Sequence, residues 1–231
     1  MKDHIIVAFD TQDKKQFDFL FNDLKNDIGH AKIGMEAFYT FGIDVIERFK
    51  KENIKVFLDL KLHDIPSTVE KASRTLSKLG VDILNVHAAG GVDMMKAAAL
   101  GFKENQTNGK MIAVTQLTST NQDIMNNELN IPGLVEHQVE HMATLTKSAG
   151  LDGIVSSAGE VKKVKARLGL DFICVTPGIR PKGSDQGDQK RIYTPMEAIT
   201  SGADYLVIGR PITQAPSPKE AYLKILEDIK L

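Results

Sequence analysis

The sequence predicts an α/β fold, and within that class a (β/α)8 barrel. Eight short apolar runs alternate with amphipathic segments, and polar or charged residues stand near the end of nearly every run. Runs that are apolar on both faces are typical of parallel strands covered by helices. In a barrel the carboxyl ends of these strands meet at one mouth, where active sites lie. An open doubly wound sheet, the alternative fold, would spread them along an edge.

The strands are expected at eight positions. The runs are 4–9, 30–34, 55–60, 82–87, 111–117, 153–156, 172–176 and 205–208. The residues at or near their ends are Asp10, Lys32, Asp59 with Lys61, His87, Thr118, Ser156 with Ser157, Thr176, and Gly209 with Arg210. Segments 37–51 and 134–148 each predict one helix, because apolar residues recur there at helical spacing. We therefore expect a TIM barrel in which residues 1–231 form a single domain.

A weak internal repeat supports the alternation of strands and helices. The segments "LGVDILNV", "AGLDGIVS" and "SGADYLVI" share a glycine, an aspartate two positions later and then a mostly apolar run. Gly80, Gly150 and Gly202 are each expected to end a helix just before a strand begins.

The composition excludes several classes of protein. The chain has 29 Lys and Arg against 30 Asp and Glu, so no basic excess points to nucleic acid or to an anionic membrane surface. The single cysteine, Cys174, excludes a disulfide framework. The first apolar run is too short for a signal peptide, and no run approaches the roughly 18–20 residues of a membrane span. We predict a cytoplasmic protein with neither nucleic acid nor membrane as a partner.

The third run carries charges where a buried strand should have none. Alternate side chains share a face, so Val56 and Leu62, with the leucines between them, are expected to face the outer helices. Phe57, Asp59 and Lys61 then face the barrel interior. A buried ion pair adds little stability, because desolvation offsets the attraction, so a structural role explains these charges poorly. A lysine kept protonated by flanking carboxylates is suited to deliver a proton, and the carboxylate would disfavour an anionic substrate group.

Two turns extend the predicted site. Pro66 is expected to begin the helix after the charged strand. After the last strand, Gly209 allows a close backbone approach and Arg210 offers a planar donor, which suits a phosphate bound by the loops after strands 7 and 8. Segment 180–191 has no large apolar residue, which is typical of a solvated loop. The alternative for 208–213 is a plain strand-to-helix turn.

These motifs resemble the orotidine 5'-phosphate decarboxylase family. The segment "FLDLKLHDIPSTV" resembles the family signature D-x-K-x-x-D-I-P-x-T-V. Further similar segments, in the same order along nearly the whole chain, are "AFD", "KIGMEAF", "NVHAAGG", "QLTS", "TPGIRP" and "VIGRPI". The resemblance implies decarboxylation of orotidine 5'-monophosphate to UMP, the last step of UMP synthesis, without a metal or other cofactor. It also implies a homodimer with its sites at the subunit interface.

The resemblance further implies that segment 180–191 is a mobile lid over the phosphate end, and it implies roles for individual residues. Lys61 would protonate C6 of the pyrimidine, and Asp59 would sit near the substrate carboxylate. Asp64, accompanied by Ile65 and Thr68, would reach the partner's site and, with Lys32, extend an alternating charge network. The other implied contacts are Asp10 and Lys32 at the ribose hydroxyls, Thr118 at the pyrimidine, Gln189 between pyrimidine and phosphate, and Arg180 with Gly209 and Arg210 at the phosphate.

Two other functions compete with this interpretation. The 3-keto-L-gulonate 6-phosphate decarboxylases share the D-x-K-x-x-D array but use magnesium and place a glutamate ligand at the second strand. This chain has Lys32 there, and a cation at that point would oppose metal binding. A barrel that only binds nucleotides or phosphates and has lost catalysis is the other alternative, and the intact set of Asp59, Lys61 and Asp64 argues against it.

Three further residues or segments are given no catalytic role. The segment "HQVEH" at 137–141 fits a zinc-binding pattern, but we interpret it as a solvated helix face. Gln116 stands where many members of the family have an apolar residue, and it would contact the ring or satisfy a neighbour. His87 is either a hydrogen-bonded structural residue or a ligand contact.

Overall fold

The computed structural model describes residues 2–105, 108–181 and 191–229, and within them eight strands close into a barrel in chain order. Every neighbouring pair of strands is parallel. The strands are β1 Ile5–Ala8, β2 His30–Gly34, β3 Lys55–Leu62, β4 Ile83–His87, β5 Lys110–Val114, β6 Gly153–Val155, β7 Ile173–Thr176 and β8 Tyr205–Ile208. The predicted (β/α)8 barrel is confirmed, and a strand lies at each predicted position.

Helices form the outer layer around the barrel. They are α1 Lys14–Leu24, α2 Met35–Phe41, α3 Asp44–Lys51, α4 Pro66–Ser77, α5 Gly91–Lys103, α6 Val135–Ser148, α7 Ala158–Leu168, α8 Pro195–Thr200, α9 Arg210–Thr213 and α10 Pro218–Asp228. Pro66 begins α4, as predicted. Within the described ranges, every helix lacks the length or the apolar character needed to cross a bilayer.

Two predicted boundaries are wrong. Segment 37–51 is not one helix but two, α2 and α3, because Gly42 ends the first with a φ of +68°, a conformation that favours glycine. Strand β5 ends at Val114 rather than 117. Thr115 still donates its N–H to the Val155 carbonyl at 3.2 Å, and beyond it the chain leaves the barrel.

Two apolar layers divide the side chains of the strands. Phe57 belongs to the small cluster inside the barrel, whereas Val56, Leu58 and Leu60 belong to the large cluster between the barrel and the helices. The inner cluster comprises Ile6, Ala8, Phe57, Ile83, Ile112, Val175 and Val207. The two predicted faces of β3 are therefore confirmed, and the inward face leads from Phe57 towards the barrel mouth.

The aspartates of the internal repeat close the opposite end of the barrel. These aspartates stand just before β4, β6 and β8. Each accepts a backbone N–H from a residue near the start of the neighbouring strand, which is β3, β5 or β7 respectively. The pairs are Asp82 with Val56, Asp152 with Met111 and Asp204 with Cys174, at 2.8, 2.9 and 2.7 Å. The lysines beside these carboxylates are Lys50, Lys110 and Lys165. The repeat thus supplies acceptors for N–H groups that the strand ladder leaves unpaired.

The glycines of the repeat behave as predicted. Gly80, Gly150 and Gly202 have φ values of +71°, +80° and +97°, and each follows a helix closely. Glycine adopts this region without the steric cost that a Cβ imposes, so each chain reversal leads directly into the next strand.

His30 is a buried histidine at the start of β2. Its ring meets that of Tyr205 edge to face, with centroids 5.5 Å apart, and its Nδ1 has no hydrogen-bond partner. Burial, together with nearby Lys55, lowers its pKa from 6.5 to about 4. The folded protein therefore holds a neutral imidazole at pH values where the unfolded chain binds a proton.

We expect His30 to make the protein sensitive to acid. Because the pKa is lower in the folded state, the contribution of the neutral ring is complete above pH 6.5 and is lost as the pH falls towards 4. By pH 5 the loss amounts to about 2 kcal/mol of unfolding free energy. Denaturant unfolding at pH 7 and pH 5 should show a smaller drop for His30→Phe than for the unsubstituted protein. His137→Phe, at an exposed position, serves as the control, and equal drops in both variants would contradict the assignment.

Candidate active site at the barrel mouth

Two neighbouring cavities open at the carboxyl ends of the strands. The first, about 220 Å³, is lined by Lys32, Phe57, Asp59, Lys61, Val114, Gln116, Leu117, Thr118, Ser119, Val155, Ser156, Pro177 and Val207. The second, about 500 Å³, is more polar, and its lining includes Asp10, Gly178, Arg180, Gly209 and Arg210. Lys32, Pro177 and Val207 line both cavities. An elongated ligand with a partly apolar end and an anionic end would fit this pair.

Four side chains form a row of alternating charge along these cavities. The Lys32 ammonium lies 2.8 Å from an oxygen of Asp10 and 3.4 Å from an oxygen of Asp59. The Lys61 ammonium lies 2.7 Å from the other oxygen of Asp59. Lys32 and Asp59 in the middle of the row are buried, whereas Lys61 is partly exposed. Asp10 follows the end of β1, Lys32 lies in β2, and Asp59 and Lys61 lie in β3.

The two inner groups of the row, Lys32 and Asp59, are ionised despite their burial. Burial favours the neutral amine of Lys32, but the charges of Asp59 and Asp10 outweigh it and raise the pKa of Lys32. Burial likewise favours the protonated acid of Asp59, but Lys32 and Lys61, with hydrogen bonds from Lys61 and Asn85, lower its pKa. Each inner group therefore keeps its charge because it has opposite charges on both sides.

The backbone of β3 is irregular where Lys61 enters the site. Lys61 has a φ of +51°, and the pairing with β4 shifts between Leu58 and Leu62. Asn85 of β4 accepts the Lys61 backbone N–H at 2.8 Å and donates to Asp59 at 2.7 Å. The sequence motif "NVHAAGG" included Asn85, but no sequence pattern gave it a role.

Asp64 does not join Asp59 and Lys61 within one chain. It lies exposed in the turn after β3, where its carboxylate accepts the Ile65 backbone N–H at 2.6 Å. Ile65 and Thr68 are also exposed, and Ile65 is 64% accessible although it is a large apolar residue. This turn therefore presents an acid and an apolar side chain outward, beside the mouth.

The predicted phosphate residues gather at the second cavity. Arg180 is buried and donates to the Ile179 carbonyl at 2.9 Å, whereas Arg210 is exposed. Gly209 directly precedes α9, and an added Cβ there would lie 3.4 Å from that of Ala8. Thr118 is buried in the lining of the first cavity. Gln189 lies outside the described residues.

Several neighbours of the site carry no predictive signal in the sequence. Arg191 pairs with buried Glu160 and donates to the backbone carbonyls of Gln116 and Leu117 at 3.1 and 3.0 Å. It thereby holds the segment that follows β5, next to Thr118. Nothing in the polar stretch around Arg191 reveals this contact, because its partners lie more than 30 positions away.

The histidines do not build a metal centre in the part of the chain described. His137 and His141 are exposed on α6, and no cluster of three or more His, Cys, Asp or Glu side chains suited to a metal occurs there. His87 stacks on His63 with ring centroids 5.7 Å apart and accepts the Ala89 N–H at 3.2 Å. Burial, then the charges of His63 and Lys61, lower its pKa, so His87 serves as a neutral acceptor for the turn after β4.

Known proteins resemble this chain over most of its length. The model of the "Orotidine 5'-phosphate decarboxylase / HUMPS family" matches residues 3–225. The orotidine 5'-phosphate decarboxylase of Lactococcus lactis subsp. cremoris (strain SK11) is 55% identical over 203 residues, 86% of each chain. That of Staphylococcus haemolyticus (strain JCSC1435) is 49% identical over 227 residues, 98% of each.

A solved structure agrees with these relatives. The crystal structure of orotidine 5'-phosphate decarboxylase from Lactobacillus acidophilus superposes with a TM-score of 0.86 at 39% identity, covering 98% of this chain and 99% of that one. The family model and these relatives show the class of the protein, an enzyme of the carboxy-lyase type, and the closed parallel barrel with a charged mouth agrees with it. The chain belongs to the orotidine 5'-phosphate decarboxylase / HUMPS family.

We expect Gly34 to be essential to the row of charges for a steric reason. A Cβ on Gly34 would lie 2.6 Å from a carboxylate oxygen of Asp10 and 3.0 Å from the Lys32 ammonium. Gly34→Ala should lower kcat/KM for decarboxylation about tenfold or more, since a misplacement of about 1 Å costs up to 10²-fold. Gly169→Ala, at a φ of +97° after α7, should cost stability and leave kcat/KM unchanged. Unaltered kinetics in Gly34→Ala would contradict this assignment.

Proposed function

We propose that this protein decarboxylates orotidine 5'-monophosphate to UMP without a metal or organic cofactor, using Lys61 as the proton donor. The observation that carries the proposal is the ion pair of Lys61 with Asp59 in the lining of the first cavity. When the bond from C6 to the carboxylate breaks, carbon dioxide leaves and the electron pair stays on C6. The Lys61 ammonium donates a proton to C6, and the resulting amine regains a proton from water.

The charged side chains of the row would stabilise the carbanion that forms in this reaction. A carbanion at C6 has little resonance stabilisation, so a cofactor-free site must stabilise it with fixed charges and a placed proton. Asp59 would stand near the substrate carboxylate, where it either destabilises that group or positions Lys61. The alternating row supports this role, because its charges are already oriented and need no reorganisation during the reaction.

The second cavity would hold the ribose and the phosphate. Lys32 lines both cavities and Asp10 lines the second beside it, which suits contacts with the ribose hydroxyls. Arg180, Gly209 and Arg210 would bind the phosphate at the ends of strands β7 and β8, the usual phosphate site of such barrels. Thr118 would contact the pyrimidine, and Gln189 would connect pyrimidine and phosphate.

The position of Lys32 favours a metal-free reaction. Its ammonium lies between the carboxylates of Asp10 and Asp59, where a divalent cation would otherwise bridge them. Carboxylates and water are the ligands that Mg²⁺ prefers, and a fixed ammonium among them repels it. This argues against the magnesium-dependent alternative.

The first experiment follows the ultraviolet change of orotidine 5'-monophosphate with purified protein in excess EDTA. We expect conversion to UMP, and we expect Lys61→Ala to lower kcat by at least about 10²–10⁴-fold, the usual contribution of a placed acid. UMP should still bind to this variant. Lys55→Ala, at the exposed start of the same strand, should retain full kcat. Undiminished turnover in Lys61→Ala would refute the role of Lys61. Activity only with magnesium, on a sugar phosphate, would favour the alternative.

We further propose a homodimer in which Asp64, Ile65 and Thr68 reach the partner's site. These residues are exposed at the mouth, and Met35 and Tyr39 of neighbouring α2 are exposed apolar residues. A surface of this kind is suited to pack against a second copy of the chain. The predicted charge network of Asp64 with Lys61 and Lys32 would then form across the interface.

Mixing two inactive variants tests this arrangement. Asp64→Ala and Lys61→Ala should each be inactive alone, but a mixed dimer holds one site with both native residues. Random exchange makes half of the dimers mixed, so about a quarter of the native activity should return. Asp44→Ala is the control that replaces Asp64→Ala. Asp44 is exposed at the start of α3, so the Asp44→Ala protein should be active without mixing. No recovery after verified exchange would contradict the shared site.

A further inference from the structure

We propose that Asn85 is a positioning residue of the reaction, holding the Lys61 backbone and the Asp59 carboxylate in one fixed arrangement with a single carboxamide. The inference rests on the proposed function of those two residues. Asn85 lies in β4, next to β3 in the barrel, and is fully buried. It therefore acts through its neighbours and not through contact with substrate.

The first contact compensates for a break in the strand pairing. Leu58 pairs with Leu84 and Leu62 with Val86, so four steps along β3 span only two along β4. The extra residues form a bulge, in which backbone N–H groups lose their partners in the ladder. The Asn85 side-chain oxygen accepts the Lys61 N–H at 2.8 Å in place of a strand carbonyl.

This contact also holds an unfavourable backbone conformation. A φ of +51° brings the Cβ of a lysine close to its own backbone, so residues other than glycine rarely adopt it unless the surroundings enforce it. The conformation sets the direction in which the Lys61 side chain leaves the strand. Loss of the Asn85 acceptor would allow the bulge to relax, and the Lys61 ammonium would move with it.

The second contact fixes the rotation of the Asp59 carboxylate. One Asp59 oxygen accepts from the Asn85 amide and from the Lys61 ammonium, each at 2.7 Å, while the other oxygen faces Lys32 at 3.4 Å. The amide is oriented without ambiguity, because the Lys61 N–H can only donate and an ionised carboxylate can only accept. A carboxamide offers both a donor and an acceptor on one carbon atom, and it does so without having to take up a proton.

Two substitutions test this role. Asn85→Leu has a similar size and lacks both contacts, so kcat should fall about 10²-fold while KM and the Kd for UMP change less than about threefold. Asn85→Asp keeps the acceptor and replaces the donor with a second carboxyl beside Asp59. Two adjacent carboxylates cannot both ionise easily, so the introduced group takes up a proton as the pH falls and again donates to Asp59. Its kcat should therefore recover at low pH, unlike that of the unsubstituted enzyme.

Controls separate this role from folding and from the proposed function. Asp152→Asn, at the opposite end of the barrel, should lower the melting temperature without changing kcat. If Asn85→Leu has a near-native kcat and Lys61→Ala is inactive, the role of Asn85 is overturned and the proposed function stands. Full activity in Lys61→Ala would overturn the proposed function instead. If Asn85→Leu does not fold, the pH profile of Asn85→Asp decides, and a native profile would show that Asn85 only supports the fold.

Discussion

The structure of the site depends on burying charge without leaving any charge unpaired. A lone ion moved out of water costs several kcal/mol, so Lys32 or Asp59 alone would lose its charge or destabilise the fold. Each of them instead lies between two opposite charges. The outer members, Asp10 and Lys61, extend towards solvent, which lowers the cost of the whole row. The charges of such a row are already in place before any ligand binds. A reaction that develops charge requires this fixed arrangement.

The two ends of the barrel meet this requirement in different ways. At the amino ends of the strands, aspartates such as Asp82 satisfy strand N–H groups, and the strands there are regular. At the carboxyl ends, β3 bulges and Lys61 adopts a left-handed conformation. Strain of this kind persists only where the surrounding structure holds it, and it is concentrated at functional sites. The regular end and the packed outer layer provide the rigidity that the irregular end needs.

Much of the fold and part of the site can be predicted from local patterns. Period-two alternation correctly assigned the two faces of β3, and Pro66 and the repeat glycines correctly located helix ends. The single helix over 37–51 was wrong, because a continuous apolar stripe concealed the break at Gly42. The sequence motif grouped Asp64 with Asp59 and Lys61, but within one chain the turn after β3 directs Asp64 outward. Contacts such as those of Arg191 with the segment after β5 could not be predicted, since no local spacing encodes them.

The sequence by itself determined the alternation of strands and helices, the charged face of β3 and the polar residues at the strand ends. These features depend on neighbouring residues, whose side-chain directions follow from backbone geometry alone. Only the tertiary structure decided that Asp10 after β1, Lys32 in β2 and Asp59 in β3 form one row. It also decided that Asn85 connects Asp59 with the backbone of Lys61. Residues so far apart in the chain meet only when the barrel closes, and the register between strands then sets which atoms face one another.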